Sequence, residues 1–395
     1  VKYFSKKGIC HSVTNESKTM ALRSKSRLPQ SEYFSASSPI PGTQWTITGH
    51  SRALERTGFW IPEIRCAFDA GVDLPTDVGA RPLAIFVTHG HIDHMNALPM
   101  LLRHHDAKID PPTQVFAPAP IVHRLRQFAQ LSFAVKVDAD AALPEEYAPP
   151  PEGDRCPAPG SVLEGDHPFK TWRPFGPDII TTILAGKKAT TPLVVHGLQL
   201  CHGMCSSVGY VLATPAGKVK KLRQDLVGSN KMETGIRVKK ARKRGENINV
   251  EVDIPEKSHF AFVLDTTIEA LDQKCCTTAQ RILDSPVVMI ECTYLEDSMK
   301  SEARKRGHIS WGELVPFVFE SGRRRKCSGQ GKTWILVHFS LRYTDDEILN
   351  FFLDDKMCKI PMGTKEQANE SREEIPPDVI LWLDSGPIEL WIKED

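Results

Sequence analysis

The tightest constraint in this chain is a string of six residues. His89-Gly90-His91-Ile92-Asp93-His94 places three histidines and a carboxylate directly after an apolar run, Leu83 to Val87. Neutral imidazole and carboxylate are good zinc ligands, and each must hold the ion at about 2 Å. The run LAIFV has the continuous apolar character of a fully buried strand. A tight loop leaving that strand aims His89 and His91 at one ion. Asp93 and His94, opening the following helix, then aim at a second. Two ions roughly 3.5–4 Å apart can share one hydroxide and clamp a phosphoester.

One loop cannot complete two such sites. The missing ligands are expected just past other strands, where sheet folds with covering helices gather their ligand sites. Three residues break out of apolar runs in this way: His202 after Leu193–Leu200, Asp265 after Phe260–Leu264, and His338 at the end of Trp334–His338. His196, in the same strand pair as His202, is its rival for that place.

The rest of the chain reads as strands alternating with helices and loops. Residues 1–42 read as a disordered, solvated tail, although Met20 to Ser38 has the basic, serine-rich character of an organelle presequence. Residues 43–395 read as one hydrolase-type domain with two departures. Pro144 to Pro177 holds nine prolines in 34 residues and is expected to be a surface insertion without regular structure. Lys218 to Arg244 carries 11 Lys/Arg against Asp225 and Glu233, a local net of +9 in a chain whose formal net charge is +1. That overall balance excludes a uniformly basic nucleic-acid coat while leaving room for a local basic patch. Helix starts are marked by Ser310 with Glu313 and by Thr344 with Glu347, both spaced as capping boxes. No run of 18 apolar residues occurs, so no transmembrane helix and no membrane partner is expected. Ten cysteines without a CxxC pair, and no secretory leader in the first 40 residues, suit reduced thiols inside the cell. The cytoplasm is the expected compartment, with nucleus or mitochondrion as alternatives.

HxHxDH resembles the signature of the metallo-β-lactamase superfamily. More narrowly, the chain resembles the ribonuclease Z (tRNase Z) family, and within it the short plant-type form. The matching pieces run in order from about Gly49 to Tyr343. They are Phe68-Asp69-Ala70-Gly71, the THGHIDHMNALPML stretch, CHGMCSSVGYV, VLDTT, IECTYLEDS followed by GHIS, and HFSLRYTDDEI. Leu264 stands where the family has a glycine before the aspartate. The family's Gly-Pro-rich protruding arm has no counterpart motif, and the basic excursion at 218–244 occupies its interval.

The resemblance implies an α/β fold, an αββα sandwich of two mixed sheets flanked by helices. It implies two divalent ions per chain, expected to be zinc. His89, His91 and His202 would hold the first, Asp93, His94 and His338 the second, and Asp265 would bridge them. Asp69 would support the metal loop. Asp93, His308 and Glu291 form the implied catalytic group, with His308 assisting the leaving group and Glu291 beside it. The implied reaction removes the 3′ trailer of precursor tRNA by attack of a bridging hydroxide on the phosphodiester. Ser340, Arg342 and Tyr343 would line the RNA pocket. Lys239, Lys240, Arg242, Lys243 and Arg244 would neutralise RNA phosphates. Family precedent also implies a homodimer. The competing readings are a small-substrate phosphodiesterase on the same fold and a non-catalytic RNA-binding subunit.

Overall fold

The computed structural model describes residues 36–72, 81–103, 112–133, 170–186, 188–272, 277–328, 331–365, 367 and 375–393. The first sheet has seven strands in sequence order: β1 (Ser37–Pro39), β2 (Thr46–Arg52), β3 (Arg56–Ile61), β4 (Cys66–Phe68), β5 (Ala84–Phe86), β6 (Thr113–Pro118) and β7 (Lys170–Phe175). The β1 to β4 pairings are antiparallel, and β4 to β7 run parallel. Three helices accompany this half: α1 (Ile92–Met95), α2 (Leu98–Arg103) and α3 (Val122–Phe133).

The second half begins with β8 (Ile180–Ala185), β9 (Thr191–His202) and β10 (Cys205–Thr214). A small excursion follows, made of β11 (Gly217–Leu222), α4 (Lys231–Lys243) and β12 (Asn249–Ile254). The chain then returns through β13 (Lys257–Val263), α5 (Thr277–Asp284), β14 (Val287–Glu291), α6 (Lys300–Arg306), α7 (Trp311–Ser328) and β15 (Thr333–Val337). It ends with α8 (Asp345–Leu353), α9 (Asp355–Cys358), β16 (Met362–Gly363), β17 (Val379–Leu383) and β18 (Gly386–Ile392). Nine of these strands form one mixed sheet in the order β16-β18-β17-β15-β14-β13-β10-β9-β8, while β11 and β12 pair only with each other.

Strand periodicity sorts the apolar residues into three layers, because successive side chains point to opposite faces. Phe59, Phe68, Phe86 and Phe116 of the first sheet face Tyr210, Phe262, Met289, Ile335 and Trp382 of the second. Burying each of these rings contributes roughly 1.5–3 kcal/mol. The alternate residues face outward. Ala67, Ile85 and Val115 pack beneath Leu98, Leu101, Leu125 and Ala129 of α2 and α3. Val288, Ile290, Trp334 and Leu336 pack beneath Ile282, Leu314, Val318, Ile348 and Phe352 of α5, α7 and α8. The architecture is therefore an αββα sandwich of two mixed sheets.

Of the two capping signals, the one at α8 forms in full and the one at α7 only in its carboxylate half. Thr344 and Glu347 make both bonds of a capping box at α8. Ser310 and Glu313 hydrogen-bond at the start of α7, the Ser310 hydroxyl donating at 2.8 Å. Two boundaries differ from expectation. Ser37–Pro39, placed in the tail by composition, form an edge strand paired with Thr46–Thr48. Lys170–Phe175, placed in the irregular Pro-rich stretch, form a parallel strand beside β6. Pro174 is tolerated because β7 is the last strand of its sheet, where a missing N–H breaks no ladder on the open side. Residues 1–35 of the expected tail and 144–169 of the expected insertion lie outside the described residues.

Candidate metal centre

Five functional side chains leave the same edge of the sandwich. His89 follows β5, Asp265 follows β13, Glu291 ends β14, His338 follows β15, and His202 ends β9. Because β13, β14 and β15 are parallel, their carboxyl ends coincide. Asp69, Asp265 and His338 sit there at φ of 54°, 50° and 62°. Such left-handed backbone costs a non-glycine residue of order 1–3 kcal/mol and persists where the surroundings over-determine it. At each of these three positions the turn stops the strand and aims a polar side chain inward.

Three overlapping candidate ligand groups result among the described residues. Donor atoms of Asp265, His308 and His338 lie within 4.8 Å of one another, as do those of His89, His91, His202 and Asp265, and those of Asp93, His94 and His338. Asp265 stands between them: Oδ2 is 3.4 Å from His89 Nε2, 3.5 Å from His94 Nε2 and 3.6 Å from His202 Nε2, and Oδ1 is 3.3 Å from His338 Nε2. His196 lies elsewhere. It has the same strand parity as His202, but six residues earlier puts it about 20 Å back along β9. Its Nε2 is 2.7 Å from Glu256 Oε1.

The outer nitrogens of the ligand histidines are also held. Asp69 is buried and accepts from the Thr88 N–H at 2.7 Å and from His94 Nδ1 at 2.8 Å. His89 Nδ1 meets the Thr88 hydroxyl at 3.0 Å, and His202 Nδ1 donates to the Gly307 carbonyl at 2.9 Å. His338 Nδ1 is 3.3 Å from the Thr293 hydroxyl. Partners of this kind fix tautomer and ring orientation in metal sites. Two glycines make the geometry possible. A Cβ on Gly71 would lie 1.6 Å from the Asp93 carbonyl oxygen, and one on Gly307, at φ 78°, would lie 2.6 Å from the Gly203 nitrogen.

The donor set fits divalent cations. His89 Nε2 and Asp265 Oδ1 are buried without a hydrogen-bond partner, and both face the shared centre. Buried polar atoms are rarely left so. The electrostatics agree. Burial, and then the neighbouring His94, hold His89 well below the ordinary histidine range. Asp265 overcomes its burial because His338, His94 and His89 surround it, and its carboxyl falls well below the usual range. Asp93 is held at about 2 against burial by His338 and His94.

Beside the centre, Glu291 organises a second device. Its fully buried carboxylate accepts from the Thr266 N–H at 2.6 Å, the Thr293 hydroxyl at 2.7 Å and the Ile309 N–H at 3.1 Å. It also holds His308 Nδ1 at 3.0 Å. Against the effect of burial, the Glu291 carboxylate raises His308 to about 9. Glu291 thus fixes the orientation of the His308 ring. Nearby, the exposed Arg342 donates to the Ser340 hydroxyl at 3.2 Å and lies 5.1 Å over the Tyr294 ring.

Tyr343 departs from the expected pocket role. It is 7 % exposed, its hydroxyl donates to Glu296, and its carbonyl accepts from Arg52. Lys239, Lys240, Arg242, Lys243 and Arg244 are not among the ligand groups. All five are exposed at the end of α4. Their excursion leaves β10 at Thr214 and rejoins β13 at Lys257, whereas Asp265 follows the other end of β13. Seven residues of strand separate the two ends of β13 by about 20 Å. Thr88, Thr293, Tyr294, Gly307 and Cys205 were not singled out by sequence reasoning. Thr293 carried the fairest signal, lying two residues beyond Glu291 and hence on the same side of an extended chain.

A sequence model of the metallo-beta-lactamase superfamily matches residues 76–174. The chain is 27% identical over 321 residues to tRNase Z TRZ1 of Arabidopsis thaliana, covering 78% of this chain and 88% of that protein. It is 24% identical over 305 residues to the chloroplastic tRNase Z TRZ2 of the same plant, covering 77% and 70%. Among solved structures, human tRNase Z, short form, matches with a TM-score of 0.36 at 17% identity, covering 78% of this chain and 92% of that one.

Proposed function

We propose that this chain is a metal-dependent hydrolase of the metallo-β-lactamase superfamily and, more narrowly, a tRNase Z-type endoribonuclease that removes the 3′ trailer from precursor tRNA. The observation that carries this reading is that two charged devices are attached to opposite ends of β13. A ligand centre with a histidine acid occupies the carboxyl ends of the strands, and a cationic helix belongs to an excursion inserted at the opposite, amino end of β13. A substrate that uses both must be a long polyanion. The likeness to two plant proteins named tRNase Z supports the choice of RNA.

His89, His91 and His202 would hold one divalent ion, Asp93, His94 and His338 a second, and Asp265 would touch both. Zinc suits the nitrogen-rich donor set. When bound, two such ions supply charge neutralisation at a phosphoryl group and an acidified water. The remaining work belongs to the chain. His308, with Nδ1 tied to Glu291, keeps Nε2 free to hold a proton and pass it to the departing 3′-oxygen of the tRNA. Arg342, steadied by Ser340 and the Tyr294 ring, offers a guanidinium to the phosphate oxygens. The α4 cations hold RNA phosphates remote from the reacting bond.

The test is cleavage of a 3′-extended precursor tRNA by the full chain, with and without chelator, with both product ends identified. The reading expects one cut, a tRNA ending in a 3′-hydroxyl, a trailer beginning with a 5′-phosphate, and loss of cleavage in chelator that zinc restores. An intact precursor beside rapid turnover of a cyclic or nitrophenyl phosphodiester would establish a small-substrate phosphodiesterase instead.

A further inference from the structure

Four of the five ligand histidines have an oxygen on their outer nitrogen: a hydroxyl for His89 and His338, a carboxylate for His94 and a carbonyl for His202. His91 differs. Its Nδ1 faces the centre, 3.2 Å from His202 Nε2, and its Nε2 meets the thiol of Cys205 at 3.1 Å. His91 is also the ligand histidine that reaches solvent, since His89, His94, His202 and His338 are each 4 % exposed or less. It therefore has the least packing to hold its ring in place.

The fold brings Cys205 there by construction. β9 and β10 form a hairpin whose last pair is His202 opposite Cys205, joined by Gly203 and Met204. One hairpin tip thus delivers a ligand from one strand and the partner of another ligand from the other. Gly203, at φ 55°, makes the reversal, and Gly307 packs against its nitrogen while its own carbonyl holds His202. Cys205 is a free, partly exposed cysteine and is not among the donors within 4.8 Å of one another. Its sulfur touches the ligand and stands outside the ligand group.

We propose that Cys205 is the positioning residue for His91, accepting the Nε2–H so that Nδ1 is presented, unprotonated and correctly turned, to the first ion. The chemistry requires one tautomer. A histidine that ligates through Nδ1 carries its proton on Nε2, and that proton needs an acceptor fixed in space. Sulfur is a weak acceptor, but here the hairpin fixes its position. Removing such a partner typically costs 10–100-fold in metal affinity. The inference rests on the metal-centre reading and names the residue that makes its most exposed ligand competent.

The experiment is a metal competition titration on the full-length chain, stripped by chelator and reloaded with zinc, and separately with cobalt. Wild type, Cys205→Ala and Cys205→Ser are compared, together with thermal unfolding of each metal-free protein. Cys205→Ala should weaken one of the two binding events by about tenfold or more and leave the other within about threefold. Cys205→Ser, which keeps an acceptor at the same place, should recover most of that loss. Metal-free unfolding midpoints should coincide. Equal affinities for wild type and Cys205→Ala would overturn the proposal, as would a serine variant as weak as alanine or a lowered metal-free midpoint in the alanine variant. An intense sulfur-to-cobalt absorption band in the wild type would make Cys205 a ligand and also overturn it. A wild-type chain that takes up no metal would overturn the metal-centre reading itself, and this inference with it.

Discussion

The two edges of the second sheet are built from different materials. At the carboxyl ends of β13 and β15, charged groups are buried and over-determined. Asp265 is 2 % exposed and His338 1 %, and both stand in left-handed turns. Beyond the amino end of β13, charges are exposed and partly self-neutralised. In the excursion, Lys218 pairs across from Asp253 and Lys220 from Glu251, leaving the cations at the end of α4 as the concentrated charge. Lys240, Arg242 and Lys243 also suit the negative end of that helix. The difference separates two kinds of electrostatics. Buried, rigid charges can act on a reacting bond, because water neither screens nor relaxes them. Exposed, screened charges can attract and orient a polyanion but exert little on a bond farther off than a Debye length of about 8 Å.

The sharpest way to break this contrast is at Asp265. Asp265→Ala should lower phosphodiester turnover by about a thousandfold or more and empty both ligand groups, read by steady-state kinetics and by metal analysis of the purified protein. A variant that keeps one full equivalent of metal and a tenth of the activity would refute a shared carboxylate.

Position along β9 gives the next largest effect. His202→Ala should lose at least about a hundredfold in turnover, while His196→Ala, paired only with Glu256 near the opposite edge, should stay within a fewfold. Reversal of that order would mean that the strand end has been assigned to the wrong histidine.

On the exposed side, replacing Lys239, Lys240, Arg242, Lys243 and Arg244 together by glutamine should weaken precursor-tRNA binding. The slope of log affinity against log salt should fall by a few, as measured by filter binding at several salt concentrations. An unchanged slope would make α4 a solvated helix and nothing more.

The smallest effect tests stability alone. Burial pushes Lys332 down to about 7, although its ammonium donates to the Ile282 and Ser285 carbonyls next to the end of α5. Between about pH 7 and the ordinary lysine range near 10.4, the unfolded chain binds a proton that the folded chain does not. Stability therefore rises with pH across that window. Lys332→Met should flatten the rise, read from denaturant midpoints at pH 7 and 9, with turnover of a small ester unaltered. An unaltered slope would mean that Lys332 stays charged in its carbonyl cage.

Much of the metal centre was legible because its signals are local. Four donor residues in six positions need no knowledge of the fold, and Asp265 and His338 announce themselves by interrupting apolar runs. Leu264, which stands where the resembling pattern has a glycine, places its side chain in the inter-sheet core. What could not be read depends on distant partners. Cys205 finds its role 114 residues from His91, and Gly307 finds its role 105 residues from His202. Tyr343 looked like a pocket residue from its place in the string but is turned inward by Glu296 and Arg52, whose positions only the fold decides. β7 was hidden by its proline, although Trp172 and Phe175 are buried apolar residues of that strand. The charge window at 218–244 overstated the excursion because it stopped before the acids Glu246, Glu251 and Asp253 that return along or just before β12.

The central claim is a division of labour between the two edges, and one measurement tests it most directly. kcat/KM of the zinc-loaded wild-type chain is followed from low to high salt with two substrates side by side, a 3′-extended precursor tRNA and a nitrophenyl phosphodiester. The account predicts a steep fall for the RNA, by orders of magnitude between about 50 and 200 mM salt if six or more phosphates are held, and a nearly flat line for the ester. Parallel lines for the two substrates would contradict it, since the remote cations would then contribute nothing that the metal centre does not already provide.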